Sequence, residues 1–109
     1  IRQMRFNMKN TQSLKLNRDF RRAYKGDNFV GGYTVVYMKK NKYQFNRLGL
    51  RVGKATGKAV TRNRLKRLMR ESYRLMEDDI EKGYDFIIVA RNRAVGKHSR
   101  RFKAILGLL

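Results

Sequence analysis

The sequence has no cysteine, no proline and no tryptophan, a single histidine, and only 8 carboxylate side chains in 109 residues. Without cysteine there is no disulfide framework and no thiolate zinc site, which fits a reducing, cytoplasmic setting. The one histidine, His98, has no carboxylate near it in the sequence and reads as a phosphate neighbour or a surface residue. No apolar run approaches the roughly 20 residues of a membrane span, and no basic-then-apolar leader precedes a cleavage site, so neither membrane nor secretion is expected. There is also no internal repeat and no linker. A chain this long forms one domain, burying roughly two thirds of its unfolded surface, and 41% hydrophobic residues imply a thin core.

What the sequence has in excess is positive charge: 28 Lys and Arg give a formal net charge of +20. Such a body repels itself unless a polyanion cancels the charge. The carboxylates are unevenly placed: six of the 8 lie between Glu71 and Asp85, leaving only Asp19 and Asp27 among the remaining 26 basic residues. A polyanion is therefore expected over most of the surface, with the Glu77 to Glu81 end outside it and solvated.

Residues 1–13 lack an apolar period and are expected to be a flexible extension; 14–109 would form a single domain. Leu16, Phe20, Ala23 and Tyr24 recur at helical spacing, predicting a helix over 17–25 with Asn17 as cap and a left-handed Gly26 at its end. The β-branched and aromatic run 33–38 predicts a strand with Tyr33, Val35 and Tyr37 on one face, followed by a turn over 39–44. Leu48, Leu50 and Val52 alternate as in a half-buried strand, and residues 53–60 form a glycine-punctuated basic loop. Leu65, Leu68, Met69, Tyr73, Met76 and Ile80 predict a helix over about 62–82, capped by Thr61, stapled by Val60 and Leu65, and closed by Gly83. Tyr84–Ala90 reads as a central strand, and Phe102, Ile105, Leu106 and Leu109 as one stripe of a last helix. The order helix, strands, helix, strand, helix predicts an α+β class, a single-domain α-β sandwich around one mixed sheet.

On the long helix, Arg62, Arg64, Lys66, Arg67, Arg70 and Arg74 occupy the positions outside the apolar stripe. With Lys54 and Lys58 they place eight positive charges in residues 54–74 against Glu71 alone. An ordinary solvated face mixes signs so that charges pair. Like charges stacked at the positive end of a helix dipole call for an anion. Neither a helix-turn-helix nor a zinc finger is visible to read a major groove. Phe20, Tyr24, Tyr33 and Tyr37 beside basic residues instead suit stacking of unpaired bases, although each ring could equally be core. The run Gly53-Lys-Ala-Thr-Gly57-Lys58-Ala59 is one residue short of a phosphate loop and lacks its Ser or Thr. Glu77, Asp78, Asp79 and Glu81 splay around a helix rather than converge on a metal. Nothing in the chain activates water by itself. Two other readings compete: a structural RNA-binding protein of ribosomal type, and a cationic membrane-active domain, which the two apolar strands oppose.

The run Gly57-Lys-Ala-Val-Thr-Arg-Asn-Arg-Leu-Lys-Arg-Leu-Met-Arg-Glu71 closely resembles the signature helix of the protein component of bacterial ribonuclease P. Leu16–Gly26 is similar to that family's first helix and Asp85–Arg91 to its last strand, so the likeness spans roughly residues 14–106. The chain stops at Leu109 without the basic tail many members carry. The resemblance implies the protein subunit of a ribonucleoprotein that removes the 5′ leader of precursor tRNA, with the chemistry carried by RNA and its Mg ions and no catalytic residue or metal in the protein. It also implies a left-handed crossover into the last strand, against the usual handedness. By the same resemblance Lys54, Lys58, Arg62, Asn63, Arg64, Lys66, Arg67 and Arg70 would bind ribonuclease P RNA. Phe20, Tyr24 and Tyr37 would line the cleft for the precursor tRNA leader. No protein partner would be required.

Overall fold

The structure is a computed structural model that describes residues 10–91; the expected last helix and His98 lie outside them. Strands β1 (Thr11–Ser13), β2 (Asp27–Val30), β3 (Thr34–Lys40), β4 (Asn46–Val52) and β5 (Tyr84–Ala90) form one sheet in the order β1-β4-β5-β3-β2. β1 and β5 run parallel to β4, while β3 runs antiparallel to both β2 and β5. The sheet is therefore mixed. Helix α1 (Asn17–Tyr24) covers one face and helix α2 (Ala59–Met76) the other, giving the α+β sandwich read from the sequence.

The larger core lies under α2, where Leu65, Met69 and Tyr73 pack on Val36, Leu48, Phe86 and Ile88. The smaller one lies under α1, where Phe20 and Ala23 meet Leu14 and Ile87, with Tyr37 and Val89 at its margin. β5 supplies both: Phe86 and Ile88 face α2, and Ile87 faces α1. A strand buried on both faces has to be a continuous apolar run, which is why it stood out in the sequence.

Several expectations are corrected. Thr11–Ser13, assigned to the extension, pair with Asn46–Leu48 as an edge strand. β2 was not foreseen, and all four of its residues are exposed. Tyr33 packs with the α2-side core and Tyr37 with the α1-side core, because the strand begins at Thr34, and Tyr33 falls outside its alternation. Neither Asn17 nor Thr61 caps its helix: the cap positions are Leu16 and Lys58, without side-chain bonds. Val60 is 80% exposed and staples nothing.

Gly26 is not left-handed. A Cβ there would lie 2.2 Å from the Met38 carbonyl oxygen, so the constraint is space. α2 ends at Met76, and a short 3-10 turn over Glu77–Asp79 follows it. Gly83, at φ 93°, serves the turn into β5 and does not cap a helix.

Glu77 explains the early end of α2. It is buried and its carboxylate accepts the Asn10 backbone N–H at 3.0 Å and the Thr11 hydroxyl. The Asn46 amide donates to the Tyr73 hydroxyl. With one proton per hydroxyl, Tyr73 must then donate to Thr11, since Thr11 donates to Glu77. This relay ties β1 to the end of α2, so the acidic segment is not simply a solvated tip.

Candidate nucleic-acid interface

α2 begins where the basic loop folds back on it. Lys54–Thr56 form a 3-10 turn. Gly57 follows at φ 152°, where a Cβ would also press on Thr61 at 3.3 Å. The Arg62 guanidinium donates to the Gly57 carbonyl at 3.0 Å, so this arginine pins the loop as well as contributing charge. Lys54, Lys58, Asn63 and Arg67 are exposed, while Arg62, Arg64, Lys66 and Arg70 are half-buried along their stems. Val60, Asn63, Arg64, Lys66, Arg67 and Arg70 line one open depression on the outer side of the helix. The first turn carries no acidic residue. Glu71 is committed to Arg74, whose guanidinium holds its carboxyl below the usual range through a hydrogen bond. The face from Lys58 to Arg70 thus keeps its positive potential, and the structure brings all eight residues expected to bind RNA onto this loop and helix.

Of the three rings expected to line the leader cleft, all lie on the α1 side of the sheet, and Phe20 borders a groove. Gly49 lies directly beneath Phe20: a Cβ there would come within 2.5 Å of the ring. Arg51, two residues along the same face of β4, sets its guanidinium 4.1 Å from the Phe20 ring centroid, a cation–π distance. Phe20, Gly49 and Arg51 line a groove of about 330 Å³, and Lys66 and Arg70 of α2 reach it from the other side. Tyr24 and Tyr37 meet edge-to-face at 4.8 Å and do not line this groove. Arg51 was not among the residues expected to bind RNA. The alternation of Leu48, Leu50 and Val52 already put Arg51 on the opposite face, and the missing information was that α1 packs there.

α1 is held to the sheet by charge. Arg47 donates from Nε and Nη2 to the two carboxylate oxygens of Asp85, at 2.8 and 2.7 Å, and from Nη1 to Asp19 at 3.1 Å. Asp85 is fully buried, and it also accepts the Asn41 amide at 2.9 Å. The hydrogen bond that Arg47 donates to Asp85, reinforced by the charges of Asp85 and Asp19, raises the Arg47 pKa despite its partial burial. Asp19 precedes Phe20, so this pair fixes the height at which Phe20 meets Gly49. Among the described residues no three His, Cys, Asp or Glu are grouped to hold a metal ion, and no helix is long and apolar enough to cross a membrane.

Comparison with known proteins adds to this geometry. The sequence profile of the family described as Ribonuclease P matches residues 8–107. The ribonuclease P protein component of Alkaliphilus oremlandii is 43% identical over 104 residues, covering 94% of this chain and 91% of that protein. That of Clostridioides difficile is 47% identical over 83 residues, covering 74% and 73%. Among solved structures, the RNase P protein from Thermotoga maritima superposes with a TM-score of 0.80 at 31% identity, covering 89% of this chain and 93% of that one.

Proposed function

Because the chain belongs to the ribonuclease P protein family, we propose that its basic helix anchors it to the catalytic RNA and that the Phe20 groove receives the unpaired 5′ leader of precursor tRNA. The chain is the protein component of an endoribonuclease holoenzyme, and its partner is ribonuclease P RNA. The observation that carries the finer reading is the shared position of Lys66 and Arg70: they belong to the basic face of α2 and also line the groove floored by Phe20 and Gly49. Backbone charge suits a folded RNA, and an aromatic floor beside it suits a strand with exposed bases.

In this reading the protein contributes position and electrostatics. Lysines and arginines screen the repulsion between two phosphate backbones, which lowers the Mg concentration needed for substrate to dock, and the leader is held in register with the scissile bond. In this reading the catalytic Mg ions belong to the RNA, as the family resemblance implies.

The test is cleavage of precursor tRNA by a bacterial ribonuclease P RNA at low Mg, with and without the protein. Added protein should restore leader removal, and protein alone should be inert. Binding to the RNA with no gain in cleavage would favour a structural RNA-binding protein. Phe20→Ala should weaken precursor tRNA binding more than mature tRNA binding; equal losses would return Phe20 to a purely structural role.

A further inference from the structure

A second aromatic and cationic patch lies at the other end of the row on β4 that faces α1. Arg47, Gly49 and Arg51 follow one another on that row. Arg51 borders the groove, and Arg47 stands roughly 13 Å away by strand rise. Over Arg47 sits Tyr43, 5.0 Å from guanidinium carbon to ring centroid. Tyr43 stacks on Phe45 with centroids 5.0 Å apart and planes 18° from parallel, yet remains 43% exposed. The turn that presents it is built around the buried Asn41. The Asn41 side chain accepts the Tyr43 backbone N–H at 2.8 Å and donates to the Phe45 carbonyl and to Asp85, and its own N–H bonds the Gly83 carbonyl. Lys39, Lys40 and Lys42 lie within four residues of Tyr43 along the chain and are all exposed. Lys39 is paired across the sheet with Asp85, but that carboxylate is already held by Arg47 and Asn41.

An exposed ring on a preorganised turn, with three exposed lysines within four residues of it, has the chemistry of a stacking platform for an unpaired nucleotide. We propose that Tyr43, with Lys39, Lys40 and Lys42, is a second docking point for the 5′ leader, taking a base and phosphates upstream of those in the Phe20 groove. This rests on the leader reading above. α1 lies between the two points, with Asp19 on Arg47 and Phe20 over Gly49, so a leader leaving the groove reaches Tyr43 by passing along the first turn of the helix.

The experiment uses the holoenzyme reconstituted with ribonuclease P RNA and measures its affinity for mature tRNA and for precursors with a short and a long leader. Tyr43→Ala should lower affinity for the long-leader precursor about 5- to 150-fold, the span of a single base–aromatic stack. It should leave the short-leader precursor and mature tRNA unchanged. Tyr43→Phe should bind like the wild type, and Lys42→Ala should reduce the salt slope for the long leader by about 0.7. Unchanged affinity of Tyr43→Ala for the long leader would overturn the proposal, as would an equal loss on all three RNAs or equal losses in the Ala and Phe variants. Phe20→Ala, run alongside, should weaken both precursors; a silent Phe20→Ala would reject the groove reading while leaving the Tyr43 result to stand by itself.

Discussion

Replacing Gly49 by alanine separates what sequence alone would predict from what the packing demands. Glycine inside a strand costs about 0.5–1 kcal/mol relative to alanine, so on propensity Gly49→Ala should stabilise β4. The structure reverses the sign. The new methyl would lie 2.5 Å from Cε1 and Cζ of Phe20 and 3.4 Å from Leu14, and Phe20 is only 8% exposed. The ring has little room to retreat, with the Arg51 guanidinium stacked on it and Asp19, its neighbour, tied to Arg47. Overpacking of this kind costs about 1–3 kcal/mol. Set against the propensity gain, a net loss of about 1–2 kcal/mol is expected, or a fall in Tm of roughly 4–8 °C for a domain of this size.

Urea unfolding followed by far-UV circular dichroism measures the loss, and the same variant should bind precursor tRNA more weakly because Phe20 is displaced from the groove. Phe20→Leu, which shortens the offending ring, should recover part of the stability lost in the double variant. A Gly49→Ala protein as stable as the wild type or more so would refute the close approach of α1 to β4 from which the groove is built.

Arg47→Met removes one partner of a buried pair and leaves Asp85 with only the Asn41 amide; a loss of about 3–5 kcal/mol is expected, measured by denaturant unfolding, whereas Asp19→Asn should cost far less because Arg47 keeps Asp85. Arg67→Ala, an exposed change, should leave Tm alone, weaken binding of the catalytic RNA, and flatten the salt slope by about one per lost phosphate contact, read from titrations at several salt concentrations. Burial raises the Tyr73 pKa above its ordinary value near 10. The unfolded chain therefore gives up this proton first as pH rises: the stabilisation is complete below about pH 10 and is lost as pH climbs towards the folded pKa. Tyr73→Phe should lower stability at neutral pH, through its lost bonds to Thr11 and Asn46, and should fall less steeply above pH 10 than the wild type in thermal melts across that range.

The elements legible in the sequence were those whose own burial writes a pattern. β5 is buried on both faces, and α2 buries Leu65, Met69 and Tyr73 at four-residue steps, so both were visible. β1 and β2 are edge strands of three and four residues, too short and too exposed to alternate. The overrun of α2 beyond Met76 has a specific cause: Met76 and Ile80 keep helical spacing and both pack on the core, but Glu77 turns to meet Asn10 and Thr11, which only the fold brings near. The basic face was legible because it needs one helix and its period. The groove was not, because it joins Phe20, Arg51 and Lys66 from three elements, and no spacing along the chain records which strand lies under α1. The roles of Asp19 and Asp85 were hidden for the same reason, since counted as charges they look like surface residues, and only the register Arg47↔Asp85 reveals a buried pair.

The shortness of β1 is itself part of the site. Its pairing ends where the Leu14 N–H bonds the Leu48 carbonyl at 2.9 Å, after which the chain leaves the sheet for α1. Strand backbones repeat every two residues, so the N–H and C=O of Leu50 point to the same side as the Leu48 carbonyl, away from β5. Had β1 continued for one more pair, it would have covered that edge and filled the space between Phe20 and Lys66. Among the described residues, its stopping leaves a notch beside the edge of β4 that is lined by Phe20, Arg51, Lys66 and Arg70. An unpaired strand entering this notch meets backbone donors and acceptors as well as cations, contacts that a double helix could not reach. In the reading proposed above, a preference for single-stranded RNA would follow from where a three-residue strand ends as much as from the charge of the long helix.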